Sequence, residues 1–176
     1  MQLKAVDLFY LGTLLNVVLD LGSCLTLLSG SNSYAEYPPW TADVSGKIEF
    51  RFKTFNPTSL LLYIEEQSSK NQEEKSFLEL SLLDGSMKLV VQMGGEDYWS
   101  KKQRRFGGNL NDLKWHSVQI IRDKRKTTLK VDNWSFSLIN TGEADQLSVN
   151  SSLYVGGLPK ELRGSVVNGR IFYTPR

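Results

Sequence analysis

The chain has 176 residues, 40% hydrophobic and 23% charged, a balance that excludes a disordered polymer and suits one domain with its own core. With 21 basic against 19 acidic side chains the net charge is +2, so the chain as a whole is no polycation for nucleic acid, and any electrostatic function must be local. The lone cysteine, Cys24, excludes an intrachain disulfide and a cysteine-based metal centre.

Taken in chain order, Met1 to Lys4 carries one positive side chain, Leu8 to Leu19 is largely apolar, and Gly22, Ser23 and Cys24 are small. That layout predicts a secretory signal peptide over residues 1–23, the run being too short for a membrane span and flanked by Asp7 and Asp20. The competing reading is an apolar first element of the fold. From Leu25 onward the pattern is that of strands. Lys47 to Lys53 alternates, with Ile48, Phe50 and Phe52 on one face and four charges on the other, which predicts a half-buried strand. Ser59 to Ile64 is apolar, and Leu78, Leu80 and Leu82 alternate with Glu79 and Ser81. Asp84-Gly85 separates that strand from Met87 to Met93 and signals a tight hairpin. Further strands are expected at Trp115 to Arg122, Thr127 to Asp132 and Ser152 to Val155, where Gly156-Gly157-Leu158-Pro159 forces a sharp turn and stops the ladder. Short strands at this spacing, with no convincing amphipathic helix, predict an all-β fold of two packed antiparallel sheets. Residues 65–75 and 94–112 are expected to be loops at the sandwich ends, where binding resides.

Two basic clusters stand out: Lys101, Lys102, Arg104 and Arg105 in one predicted loop, and Arg122, Lys124, Arg125 and Lys126 at a predicted turn. A run of like charge is commonly a solvated loop. If both clusters lie on one rim, however, their summed field attracts a polyanion, and outside the cell the natural choice is a sulfated glycan such as heparan sulfate. Nucleic acid is not expected, because the clusters lack an interleaved aromatic platform beyond Tyr98, Trp99 and Phe106. The only histidine, His116, shares a strand face with Val118 and Ile120 and is expected to be structural, with its hydrogen bonding satisfied. No nucleophile elbow or histidine metal motif occurs, and no strand carries two alternating acids, Glu79 standing alone, so no enzyme is expected. Asn133-Trp134-Ser135 and Asn150-Ser151-Ser152 are glycosylation sequons, Asn150 being the favoured acceptor because it precedes a strand in a loop. Trp134 reads alternatively as a packing residue.

Lys47 to Thr54, Phe77 to Leu80, Asp84-Gly85, Trp115 to Val118, Thr128 to Asp132 and Leu153 to Pro159 occur in an order and spacing that resembles a laminin G-like domain of the laminin, neurexin and sex-hormone-binding-globulin group. The likeness covers Leu25 to Leu162, and Gly156 to Leu162 is most similar to the first such domain of the neurexins. The resemblance implies a jelly-roll-like, concanavalin-type sandwich over residues 24–176. It implies a noncatalytic adhesion or recognition module, secreted or at the cell surface, synaptic if part of a neurexin. The partner would be an extracellular protein or a heparan-sulfate-like glycan, with a self-contained secreted lectin as the alternative. The family also implies a calcium ring, which maps to Ser76, Met93, Val149 and Asn150. Ser76 stands where the family has Asp, so no effective calcium site and no cofactor are expected, unless Glu73 or Glu74 reaches in. The family's closing strand has no clear counterpart after Pro159 beyond Arg170 to Tyr173. That predicts a C-terminally truncated domain whose membrane anchor, if any, belongs to a missing region.

Overall fold

A computed structural model of the protein describes residues 25–27, 33–41, 44–67, 75–93, 102–141 and 145–163. The expected signal peptide at residues 1–23 and the candidate strand Arg170 to Tyr173 lie outside them.

The chain forms β1 (Ala35–Tyr37), β2 (Ser45–Phe52), β3 (Ser59–Glu65), β4 (Phe77–Leu83), β5 (Ser86–Gln92), β6 (Lys102–Phe106), β7 (His116–Asp123), β8 (Lys126–Val131), β9 (Trp134–Ile139), β10 (Leu153–Val155) and a short helix α1 (Lys160–Arg163). All described pairings are antiparallel. They build a six-stranded sheet, β1-β10-β3-β4-β5-β6, and a four-stranded sheet, β2-β7-β8-β9. This is the all-β two-sheet sandwich that the alternation predicts, with a jelly-roll-like arrangement.

Period-two patterning puts the core between the layers. Leu62, Ile64, Leu78, Leu80, Leu82, Leu89 and Val91 of the larger sheet meet Val118, Ile120, Leu129, Val131, Phe136 and Leu138 of the smaller one. Burying each such side chain contributes about 1.5–3 kcal/mol, which is what holds the layers together. A bulge between Leu60 and Leu62 moves Leu60 to the opposite face, where it joins Tyr63, Phe77, Val90, Tyr154 and Leu158 in a second apolar cluster. The larger sheet is thus covered on both faces, and Glu79 and Ser81 are buried despite alternating with leucines. Ser81 Oγ donates to Glu79 Oε1 at 3.0 Å and Lys88 Nζ approaches the same oxygen at 3.8 Å.

The Asp84-Gly85 hairpin forms as expected, with φ of 49° and 72°, the left-handed pair that matches strand twist. Gly85 is also pinned, its N–H donating to Pro57 O at 2.7 Å and its carbonyl accepting from Leu110 N at 3.0 Å. A Cβ there would sit 2.6 Å from Asn111 Oδ1 and 3.3 Å from Asn109 N. Gly85→Ala is therefore expected to destabilise by about 1–3 kcal/mol, read as a lower midpoint in urea. At the other turn the requirement is space, since a Cβ on Gly157 would lie 2.7 Å from the Ser33 carbonyl.

β10 lies within the expected strand Ser152 to Val155, whereas β1, β6, β9 and the helix have no counterpart in the expected elements. β1 is only three residues long, and β9 follows the two-residue turn Asp132-Asn133 directly. The loop expected over 94–112 in fact contains β6, whose cations suit an edge strand that pairs on one side only.

Candidate functional site

The strand directions gather the loops at two ends. One end, here called the rim, holds the end of β3, the start of β4, the end of β5, the start of β6, the β7–β8 turn and residues 145–150. The far end holds the Asp84-Gly85 hairpin, residues 107–115 and the β8–β9 turn.

Asn140 joins the two basic segments at the rim. This side chain is 2% exposed; its Nδ2 donates to Val91 O at 3.2 Å and its backbone N donates to Arg125 O at 3.0 Å. Val91 is the register partner of Lys102, so one buried amide links the start of β6, on the larger sheet, to the β7–β8 turn on the smaller. Lys124 N donates to Val44 O at 2.7 Å, which fixes the turn from its other side. Lys124, Arg125 and Lys126 are exposed there, and Arg125 makes a half-exposed pair with Asp145 at 3.4 Å that contributes little.

Arg122 corrects the expectation of a four-residue cluster at this turn. It is 1% exposed because the alternation that buries Val118 and Ile120 buries residue 122 as well. Its guanidinium donates to Thr127 Oγ1 at 3.2 Å and to Lys124 O at 2.7 Å, so it braces the turn from inside and is not available to a ligand. The other cluster also divides. Lys101 lies outside the described residues, and Lys102 opens β6 at the rim. Arg104 is exposed with its Cζ 5.1 Å from the Phe136 ring centroid, and Arg105 points along the opposite face to Asp84 Oδ2, 3.4 Å away at the far end.

Ser76, Met93, Val149 and Asn150 all lie at the rim. Ser76 is buried, its N–H donating to Glu66 Oε2 at 3.3 Å and its carbonyl accepting from Glu66 N at 2.9 Å. Asn150 Oδ1 accepts from Gln67 N at 2.7 Å. The nearby Glu65 carboxylate accepts from the Tyr63 hydroxyl at 2.8 Å and faces Lys75 Nζ at 3.5 Å. Ser76 thus brings a hydroxyl to the position where the family's Asp would bring a carboxylate, and the neighbouring carboxylates are already engaged, Glu65 by Tyr63 and Lys75 and Glu66 by the Ser76 N–H. Glu73 and Glu74 lie outside the described residues.

His116 is buried, as expected, between two carboxylates. Its Nδ1 lies 2.8 Å from Asp132 Oδ2 and its Nε2 lies 3.1 Å from Asp112 Oδ1. The backbone N–H of Lys114, with further bonds from the Lys114 and His116 side chains, holds the Asp112 carboxyl down at about 2. Burial works to raise Asp132, but hydrogen bonds from His116 and the Ser117 N–H outweigh it and lower the group. Both folded-state values are depressed, so the stability they confer is complete above about pH 4 and is lost as pH falls through the folded values toward about 2. Thermal melts should show the wild type losing stability across that window and Asp132→Asn losing less, from a lower starting point at neutral pH. Equal slopes would contradict the arrangement.

Of the two sequon asparagines, Asn133 is exposed on the β8–β9 turn, whereas Asn150 has its side-chain oxygen engaged by Gln67. Trp134 is 69% exposed and does not pack in the core.

A family profile described as Laminin G domain matches residues 52–173. The chain belongs to the laminin G family. Neurexin-2 of Rattus norvegicus is 31% identical over 135 residues, covering 73% of this laminin G chain and 8% of the relative. Neurexin 1 of Drosophila melanogaster is 33% identical over 136 residues, covering 75% of this chain and 7% of the relative. The chain therefore spans only a small part of the length of these curated relatives. Among solved structures, mouse laminin alpha1 chain, domains LG4-5, superposes with a TM-score of 0.66 at 28% identity, covering 81% of this chain and 36% of that one.

Proposed function

We propose that the protein is a noncatalytic recognition module of a neurexin-like extracellular protein, secreted or at the cell surface, and that its rim binds a sulfated glycan of the heparan sulfate class or an acidic protein partner. The observation that carries this reading is the Asn140 link, which sets the β7–β8 turn beside the start of β6 so that Lys102, Lys124, Arg125 and Lys126 share one end of the sandwich. Clustered charge on one rim raises the local concentration of a polyanion and speeds its association, an effect that salt screens. Recognition of this kind needs no reactive centre, and His116 has both ring nitrogens occupied by carboxylates.

Replacing Lys124, Arg125 and Lys126 together with glutamine should weaken heparin binding by roughly tenfold in low salt and reduce its salt dependence, measured by surface plasmon resonance. Arg105→Gln, at the far end, should leave it unchanged. Failure of the wild type to bind heparin at low salt would defeat the reading. We also propose that binding is independent of calcium, since Ser76 offers a hydroxyl in place of a carboxylate and Glu65 is already paired with Lys75; neither calcium nor a chelator should alter the heparin affinity, and a calcium-dependent gain would contradict this. Both sequon asparagines are exposed, and Asn133 is the acceptor we favour for an N-linked glycan in the secretory pathway because the Asn150 amide is already engaged by Gln67.

A further inference from the structure

The far end carries a second feature that the rim does not explain. Phe55, Leu113 and Trp115 are 61%, 59% and 48% exposed. Large apolar side chains are commonly exposed singly, but these three are held together. Leu113 N donates to Thr54 O at 3.2 Å and Asn111 Nδ2 donates to Phe55 O at 3.2 Å, while Trp115 directly precedes His116, the register partner of Phe52. The loop is fixed from below by Asp112, which is held by His116 and Lys114.

Leu113 sits at φ 63°, a left-handed conformation that a bulky side chain adopts only when its surroundings impose it. Strain of this kind collects at sites where a side chain is held out for use. The charges match the apolar groups. Arg51 and Lys53 lie with their cationic centres 5.5 and 5.4 Å from the Trp115 ring centroid, and among the described residues neither is ion-paired. The one acid of the loop, Asp112, is already engaged by Lys114 and His116.

We infer that this end is a second recognition surface, one that docks an extended acidic segment of a partner polypeptide, with an aromatic or aliphatic side chain set between carboxylates. Arg51, on β2, and Lys53, just past the end of that strand, are two residues apart and both face the Trp115 ring, and an extended segment with carboxylates at alternate positions repeats at about 6.6 Å, a spacing that can meet two such neighbouring cations. Contact with the indole narrows the freedom of both cations before binding, and tryptophan and arginine are both enriched among the residues that carry most of the energy at protein interfaces. This surface is separate from the rim and does not depend on the glycan reading.

The test uses the full chain and a random copolymer of glutamate and tyrosine, with fluorescence anisotropy as the readout. Wild type and the rim variant lacking Lys124, Arg125 and Lys126 charges should both bind the copolymer, and bind poly-glutamate more weakly. Arg51→Gln with Lys53→Gln, and separately Trp115→Ala, should each weaken copolymer binding by roughly tenfold without altering heparin affinity. Leu113→Gly should weaken it as well while melting no lower than wild type, because glycine relieves the strained backbone. Equal copolymer affinity across these variants would overturn the proposal. So would vesicles of phosphatidylserine and phosphatidylcholine capturing the wild type through Trp115 while the copolymer does not bind, which would make the surface a membrane contact.

Discussion

Truncating Leu80 to alanine is expected to lower the free energy of unfolding by about 2–5 kcal/mol, among the largest effects any single side chain should show. Leu80 is fully buried on β4, opposite Leu62 of β3 and Leu89 of β5, and belongs to the cluster shared with Ile120 and Leu129 of the smaller sheet. Removing its branch deletes buried methyl groups and leaves a cavity that strands bonded on both sides cannot close. Ile139, 62% exposed on the edge strand β9, provides the contrast, since Ile139→Ala should change stability by no more than about 0.5 kcal/mol. Urea denaturation of both variants makes the comparison. Similar costs would mean that the two layers do not stack on the faces described.

The second large effect is expected at Asn140, where stability and binding should fall together. Asn140→Leu removes the donor to the Val91 carbonyl in a buried position, at a cost of about 1–3 kcal/mol. The backbone bond from residue 140 to Arg125 O can persist, but the side-chain tether between the two sheets cannot. The β7–β8 turn would then keep its Arg122 brace and lose its fixed position relative to β6. Heparin affinity should drop several-fold in a variant that still melts cooperatively, although no charge has been altered. An Asn140→Leu protein that is less stable yet binds heparin as the wild type does would separate the rim from this amide.

What the sequence revealed follows from where the physics is local. Ile48, Phe50 and Phe52 announce their strand through a simple period of two, and Asp84-Gly85 announces its hairpin through a backbone demand that few residue pairs meet. β6 was hidden because Lys-Gln-Arg-Arg-Phe has the charge of a loop, and only its pairing with β5 makes it a strand. The same attention to charge misassigned Arg122. Its alternation with Val118 and Ile120 was a usable signal that it points inward, but its neighbours Lys124, Arg125 and Lys126 suggested a surface cluster. Asn140 and Asp132 carried no such signal, because their bonds to Val91 and His116 join separate strands and turns, and Asp112, though only four residues from His116, meets it through an irregular loop that has no sequence period. Trp115 was visible within a family-like motif, whereas its pairing with Arg51 and Lys53 depends on the β2–β7 register.

The most direct test of a single polyanion-binding rim is a two-dimensional amide NMR titration of the full chain with a heparin-derived hexasaccharide. The amides of Lys102, Lys124, Arg125, Lys126 and Asn140 should shift together along one binding curve, while those of Gly85, Leu113 and Asn133 stay in place. Shifts centred on the far end, or two independent curves for Lys102 and Arg125, would contradict the account.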